Sequence, residues 1–454
     1  MQTWLASVWD TFRTSFWFVP TLLTLCAIVT GSALPEVESE IEARKRISYP
    51  SWIESTPSAA RSAMSAIAGA MVTVAGVVFS ITIVGLTMTS QQYGPRLLRT
   101  FMANRITQAA LGAFIATSLY CLLVLRHVSD IGEEPFVPHF SVSLGVALSV
   151  FCIGMLIYFN HAVAMSIQAP NVVASVAEDM NNELARLYPE SMGSGSPGGV
   201  PLDQTAIQLS ALGDDFTEVA LVKEGYVQAV GSDTLLHLAT SKDLVIKMHL
   251  RPGDYGVRGT ALAYVWPSER CDDGVADSIN DTVIAGVRRT PRQDIICAVE
   301  ELVEVAVRAL SPGVNDPFTA IACIDRLCGF LSRMAQRDIP NPFRCDKDGR
   351  LRVIVRPIDF PTVLGAAFNQ IRHYGRDSVS VSLRLLDALV TVATFVIREE
   401  DLAAIQQQAE MLIHGCEATF AETPERETAR DRYNLVLEAV EKRRSGLKRL
   451  ATSA

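Results

Sequence analysis

Hydrophobic and polar residues alternate in two different ways along this chain. In the first third, apolar residues form long runs that are almost free of charge, at Thr14–Pro35, Ser62–Pro95, Ile106–Leu125 and Phe140–Met165. About 20 apolar residues span the hydrocarbon core of a bilayer, so the pattern predicts four transmembrane helices. The first run is open to a second interpretation as a cleaved signal sequence, although it lacks the basic segment that normally precedes one.

After residue 205 the apolar runs become short. Runs at 225–230, 243–250 and 261–266 are separated by turn residues and predict a small β domain, and the turn at 252–254 resembles the hairpins of barrel-sandwich domains. Beyond residue 281 a helical period takes over. It predicts helices at 293–310, 316–337, 361–373, 378–398, 401–419 and 424–443, with a short strand at 351–355.

The sequence therefore predicts four regions. They are a four-helix transmembrane domain over 1–168, a linker helix and flexible loop over 169–205, a small β barrel-like domain over 206–280, and a mainly helical cytosolic domain over 281–454. The expected fold class is an α-helical membrane domain followed by a soluble α+β region.

Composition narrows the function classes. The 454 residues are 49% hydrophobic and only 20% charged, with a mean hydropathy of +0.23, which agrees with a chain that lies partly in lipid. The net charge of −9 comes from residues after Ser166 and argues against a nucleic-acid partner. Nine cysteines form no Cys-x-x-Cys pair, so we expect no zinc site and no disulfide framework.

The second apolar run supports the main functional hypothesis. Its 34 uncharged residues would extend about 50 Å as one helix and are rich in small and hydroxyl-bearing side chains. The helix-contact candidates are Gly69, Gly76 and Gly85, and the pore-lining candidates are Thr73, Ser80, Thr82 and Thr87. Small residues allow helices to approach closely, so the run fits either tight packing inside one bundle or a pore-lining helix in an oligomer. Because no charged residue interrupts the run, a proton relay is disfavoured.

Two turns of the helical region hold the candidate ligand residues. Arg288 and Arg289 precede a helix that begins near Asp294, and helix N-termini bind anions. A solvated basic turn is the alternative. The second turn lies between two antiparallel helices and contains Arg308, Asn315 and Asp316. Asp316 before a proline predicts a helix cap, while a ligand pocket or an ion pair of Arg308 with Asp316 or Asp325 stays open.

Signs of catalysis are missing from the sequence. Glu300, Glu301 and Glu304 repeat on one helix face without a suitable histidine or aspartate partner, so a solvated face is preferred to a metal site. No nucleophile elbow, phosphate-binding glycine-rich loop or His-Glu-x-x-His motif occurs. We therefore expect no enzyme activity, no catalytic residues, no metal and no cofactor.

Several motifs resemble the bacterial membrane family called domain of unknown function 2254. They are Val78–Leu86, Ser90–Arg99, Leu119–Arg126, Asn160–Gln168 and, most specifically, Arg308–Ala320. The resemblance extends to about residue 430 and implies a four-helix membrane protein with a large soluble region. It implies no particular activity.

The functional expectation combines these points. It is an integral protein of the bacterial inner membrane that forms a homo-oligomeric, channel-like conduit for ions or small solutes, with a cytosolic regulatory module that takes a small anionic ligand. A membrane-anchored sensor or scaffold without transport is the alternative. Arg96, Arg99 and Arg105 in an acid-free loop favour cytoplasmic N- and C-termini.

Overall fold

The computed structural model describes residues 17–44, 54–94, 105–129, 136–188 and 212–453. The chain divides into two compact units, Met1–Asn171 and Val172–Ala454. Arg96 and Arg99 of the predicted basic loop, and the predicted flexible loop from residue 189 to residue 205, lie outside the described residues.

The first unit contains the four predicted spans. They are α1 (Phe18–Arg44), α2 (Pro57–Tyr93), α3 (Arg105–His127) and α4 (His139–Ser166). All four are long and apolar enough to cross a membrane. The prediction of four spans is confirmed, and α1 differs from it by continuing through Pro35 to Arg44.

Helix α3 lies at the centre of the first unit. It packs against α1, α2 and α4, and 56% of its apolar segment is buried, compared with 17% for α1 and 28% for α2. Close approach depends on two glycines. A methyl group on Gly112 of α3 would lie 2.9 Å from the Cα of Pro20, and one on Gly31 of α1 would lie 3.1 Å from the Cβ of Leu123. The outer helices therefore present large faces away from the bundle.

The second unit contains helices together with one mixed sheet and one antiparallel sheet. Its helices are α5 (Ala169–Leu187), α6 (Ser232–Ser241), α7 (Asp273–Asp281), α8 (Ile295–Ala309), α9 (Pro317–Met334), α10 (Phe360–Tyr374), α11 (Val379–Ala393), α12 (Glu399–Thr419) and α13 (Thr423–Ser453). Its strands are β1 (Thr217–Ala220), β2 (Gly225–Val230), β3 (Val245–Met248), β4 (Tyr255–Gly256), β5 (Ala261–Trp266), β6 (Val283–Gly286), β7 (Phe343–Cys345) and β8 (Leu351–Ile354).

The strands form two open sheets. One has the order β1-β5-β3-β8-β7, with β3 and β8 parallel and the other pairs antiparallel, and the second has the order β4-β2-β6. The expected barrel-like closure was wrong, since neither sheet of the described residues closes. The physical reason is that α6 and α7 cover the apolar faces instead, through Leu235 and Ile279, which are buried with Ile246 and Leu262.

Helical periodicity predicted the rest of this unit well. The six predicted helices correspond to α8 to α13, and the predicted strand at 351–355 corresponds to β8. Their apolar residues form the interior: Leu302, Leu327, Phe330, Phe368 and Leu389 are fully buried. Helices α9 and α11 pack together, and α13 packs on α11 and α12.

Candidate functional site

One face of α2 carries small and hydroxyl-bearing residues along most of its length. This small-residue stripe consists of Ser62, Ala66, Gly69, Thr73, Gly76, Ser80 and Thr87, all of which are exposed. Their spacings of three, four and seven residues place them within an arc of about 80° on a helix that turns 100° per residue. The stripe extends for about 38 Å, which is enough to cross the hydrocarbon core.

Larger apolar side chains border the small-residue stripe on both sides. Val72 (60% exposed) and Phe79 lie on one side and Val77 lies on the other, while Val84 (55% exposed) lies within the arc between Ser80 and Thr87. The stripe is therefore the floor of a shallow groove along α2. In a membrane, the large apolar side chains beside the stripe face either lipid or another helix.

The predicted helix-contact glycines differ from one another in their surroundings. At Gly69 and Gly76, no described atom outside the helix lies within 4 Å of the place where a side chain would begin. Gly85, by contrast, is buried. Within the described bundle, close contacts use Gly31, Gly112 and Gly145 instead. Gly69 and Gly76 thus leave room for a partner that approaches α2 from outside the bundle.

The predicted pore-lining residues also separate into two groups. Thr73, Ser80 and Thr87 are exposed on the small-residue stripe, whereas Thr82 is buried within the bundle. Each threonine donates its hydroxyl to the carbonyl four residues earlier, with distances of 3.0 Å for Thr73, 2.8 Å for Thr82 and 2.9 Å for Thr87. These bonds satisfy the hydroxyl donor in an apolar setting and leave the oxygen available as an acceptor.

Sequence reasoning missed a buried carboxylate in the first unit. Glu38 of α1 is 7% exposed, and its carboxylate accepts hydrogen bonds from the backbone N–H and the hydroxyl of Ser141, which sits in the first turn of α4. Pro138 precedes α4 and provides no side-chain cap. Because these residues are 103 positions apart, no local pattern indicates the contact.

In the second unit, the basic turn at 288–292 is occupied by the protein's own acids. Arg289 forms ion pairs with Asp294 at 2.7 Å and with Glu300 at 2.8 Å. Asp294 is buried and caps α8 by accepting the N–H of Cys297 at 3.2 Å. Burial raises the pKa of Asp294, and the Arg289 guanidinium opposes this rise. The N-terminus of α8 is thus already bound to a carboxylate. The Arg288 side chain donates no hydrogen bond to the described residues, and its backbone carbonyl accepts one from the Gln228 side chain.

The turn between α8 and α9 has the predicted cap. Asp316 accepts the N–H groups of Phe318 and Thr319, both at 3.1 Å, and the Thr319 hydroxyl. Asn315 has a φ of 49°, a left-handed conformation that asparagine tolerates better than most residues. Asp316 thus caps α9, and Asn315 takes the left-handed backbone conformation that the turn requires.

The ion pairs near this turn differ from the predicted one. Arg308 pairs with Glu304 of its own helix at 3.2 Å, and Asp325 pairs with Arg384 of α11. The proposed pair of Arg308 with Asp325 was therefore wrong, because Asp325 faces α11. The described contacts of Asp316 are those of a helix cap.

Comparison with known families accounts for most of the chain. Residues 13–391 match the family model described as "Predicted membrane protein (DUF2254)". The chain belongs to this family. The resemblance seen in the sequence motifs is confirmed, and the four apolar helices agree with the family description.

The chain is also similar to two mycobacterial proteins. Uncharacterized protein Rv1290c of Mycobacterium tuberculosis and Uncharacterized protein Mb1321c of Mycobacterium bovis are each 28% identical over 428 residues, which cover 92% of this chain and 80% of each relative. No solved structure matches the chain. The protein is thus a member of this membrane family with four candidate spans.

Proposed function

We propose that this DUF2254 protein is a homo-oligomeric, channel-like conduit for ions or small solutes, lined by α2 helices of several copies. The small-residue stripe is the observation that supports the proposal. A face of small residues that meets no other described helix is suited to close contact between copies, and its hydroxyl oxygens are acceptors that water or an ion can use.

The charge of α2 bears on what such a conduit would pass. Between Ser62 and Tyr93 the helix has no acidic or basic residue, so neither sign of charge is favoured along the stripe. Arg61 lies just before it and donates to the carbonyl of Val128 at 3.1 Å. Selection would therefore depend on pore width and hydroxyl oxygens rather than on a ring of charge.

A membrane anchor without transport is the second candidate. Its support comes from Thr73 and Thr87, whose hydroxyl donors are already bonded to their own helix. A stripe with satisfied donors suits a dry contact between copies as well as a wet pore. In that case the four helices would hold the second unit at the membrane as a sensor or scaffold.

For location, we propose the bacterial inner membrane with both termini in the cytoplasm. The support is the excess of arginine over acid between the second and third spans, together with cysteines that suit a reducing compartment. A reporter fused after Ala454 should behave as cytoplasmic, and one inserted beside Glu40 should behave as periplasmic. Reversed reporter activities would exclude this orientation.

The conduit is tested by flux across liposomes that contain the purified full-length protein. Wild-type protein should release a trapped ion or small solute faster than empty liposomes do. Gly76→Leu should reduce that flux, because leucine fills the floor of the groove. Gly154→Leu is the matched control, since Gly154 is an exposed glycine of α4 that also has open space around it. Absence of wild-type flux would favour the anchor.

A further inference from the structure

The second unit contains a cavity of about 320 Å³. Its wall includes Leu235 of α6, Met248 of β3 and Val353 of β8, each no more than 3% exposed, and Val355 just after β8. This volume lies at the lower end of the roughly 300–1,000 Å³ that is typical of small-molecule sites. The cavity therefore has room for a small organic molecule and offers it an apolar wall.

Three arginines at one end of the five-stranded sheet also line the cavity. We call Arg251, Arg344 and Arg356 the arginine cluster. Arg251 follows β3 and Arg356 follows β8, and these strands are parallel, so their chains leave the sheet at the same end. Arg344 is in β7, opposite Val353 of the antiparallel neighbour β8. Sheet topology thus brings together residues that are far apart in sequence.

Carboxylates neutralise the arginine cluster only weakly. Arg344 donates to the carbonyls of Asn341 and Phe343, and burial lowers the pKa of Arg344. Arg356 has no hydrogen bond or ion pair to the part of the chain that the structure describes. Arg251 has its Nε 3.8 Å from Asp254, a long separation for an ion pair.

A neighbouring arginine of the same sheet shows the contrast. Arg352 of β8 is bound by Asp243 and Asp346, both at 2.7 Å. No aspartate or glutamate of the described residues lines the cavity. The local charge at the cavity is therefore positive and available for a ligand.

The other polar groups at the cavity either have partners or add to its preference for anions. Arg186 is bonded to Glu183 and to the carbonyl of Arg292, and Gln293 binds the backbone of Val230. Ser232 is the first residue of α6, a ten-residue helix whose N-terminus has no side-chain cap. Uncapped N–H groups at a helix start favour an anion.

Besides Asp254, two carboxylates lie near the cavity and could neutralise the arginine cluster. Burial is the main cause of the raised pKa of Tyr188, which lines the cavity, and the charges of Asp359 and Asp294 add to the rise. Each already has a partner, since Asp294 is bound by Arg289 and Asp359 caps α10 through the N–H of Thr362 at 3.0 Å. Neither one forms an ion pair with the arginine cluster.

We propose that this cavity binds an organic phosphate monoester, with the phosphate on the arginine cluster and the apolar or aromatic remainder against Leu235, Met248 and Val353. Guanidinium groups bind phosphate oxygens through charge-assisted hydrogen bonds, which are the strong ones. The required apolar remainder separates this site from one for free phosphate. The inference concerns the second unit and does not depend on transport by the membrane domain.

The test measures binding to the full-length protein in lipid nanodiscs by calorimetry. The probes are adenosine monophosphate for a nucleotide source, butyl phosphate for an aliphatic source, inorganic phosphate, and 1-butanol as the neutral control. We expect at least one of the two monoesters to bind more tightly than inorganic phosphate and 1-butanol. The tighter of the two identifies the source.

Variants then assign the binding to the cavity. The double variant Arg344→Gln with Arg356→Gln should weaken monoester binding by about tenfold or more, because it removes two charged donors. Val355→Phe should fill the apolar part and weaken the monoester more than inorganic phosphate. Arg326→Gln is the control, because Arg326 is an exposed arginine outside the cavity. Thermal melting of each variant shows whether it is folded.

Three results would overturn the proposal. One is that neither monoester binds wild-type protein more tightly than 1-butanol does. Another is that a folded double variant binds the monoester as well as Arg326→Gln does. The third is that inorganic phosphate binds as tightly as both monoesters, which would remove the role of the apolar wall.

Discussion

Glu38 of α1 caps the N-terminus of α4, although Glu38 and Ser141 are 103 positions apart. Its carboxylate accepts a hydrogen bond from the Ser141 N–H at 3.2 Å and one from the Ser141 hydroxyl at 2.8 Å. Ser141 is the third residue of α4, where N–H groups have no partner inside the helix. The negative charge also lies at the positive end of the helix dipole. A single side chain of α1 therefore stabilises the start of α4 in the membrane domain.

We predict that Glu38→Gln destabilises the membrane domain. Glutamine can still accept a hydrogen bond, but it loses the charge that strengthens both bonds, and hydrogen bonds to charged groups contribute about 1.5–3 kcal/mol. Thermal melting in detergent should therefore shift to lower temperature. Glu40→Gln is the control, because Glu40 is exposed on the same helix. Equal melting of the two variants would show that the cap contributes little.

A second prediction concerns the contact of α1 with α3. Gly112→Ala should destabilise the bundle by about 1–3 kcal/mol, because the new methyl group would lie 2.9 Å from the backbone of Pro20. Gly154→Ala has open space and should be neutral or slightly stabilising, since alanine favours helix over glycine. The measurement is the melting temperature of both variants. A stable Gly112→Ala protein would mean that α1 is not packed in this way.

A third prediction separates capping from ligand binding at Asp316. Asp316→Asn should lose little stability, because asparagine and aspartate are both good helix caps. Asp316→Ala should lower the free energy of unfolding by about 1 kcal/mol. The contacts to Phe318 and Thr319 supply the reason. The melting temperatures of the two variants measure this difference. Loss of flux in Asp316→Asn at an unchanged melting temperature would instead support the ligand-pocket interpretation of this turn.

A fourth prediction follows from Asp401, which is fully buried at the start of α12. Burial raises its pKa to about 6, although Arg398 at 2.7 Å favours the charged form. The folded protein therefore holds this proton more tightly than the unfolded chain, whose aspartates have a pKa near 3.9. The stabilisation that the folded state gains from protonated Asp401 is fully present below about pH 4 and is lost as the pH rises through about 6.

Replacing Asp401 tests this pH dependence. In Asp401→Asn the fall of the melting temperature between about pH 4 and pH 7 should be smaller than in the wild type, because up to about 3 kcal/mol of linkage is removed. Asp377→Asn, an exposed aspartate, should keep the wild-type profile. Parallel profiles for all three proteins would show that Asp401 keeps an ordinary pKa.

Sequence periodicity predicted the helices because their apolar positions repeat on one face, as in α8 with Leu302 and Val303. It predicted the Asp316 cap because capping is local. It missed α6 and α7, which have only 10 and 9 residues and lie among turn residues. It also placed no strand of the helical region in a sheet with β3, since strand pairing is not local.

The candidate sites follow the same division. Thr73 and Ser80 lie on the exposed stripe as their helical spacing predicts, but Thr82 turns inward because it falls on the opposite side of the helix. The arginine cluster could not be found from sequence, since Arg251 and Arg356 line one cavity through the parallel pairing of β3 with β8, and Arg344 joins them through the antiparallel pairing of β7 with β8. Whether an arginine is already paired is likewise a property of the fold.

Modification of single cysteines in α2 tests the conduit most directly. In a Cys26→Ser background, which removes the exposed native cysteine of the described spans, Gly76→Cys places a thiol on the small-residue stripe and Val77→Cys places one on its border, about 100° away. A water-soluble, charged thiol reagent should react with Cys at position 76 and block flux through liposomes, while the position 77 variant keeps its flux. Two results would show that α2 does not line a conduit. In one, both variants still conduct after treatment with the reagent. In the other, Gly76→Cys forms a disulfide-linked dimer but the liposomes never conduct.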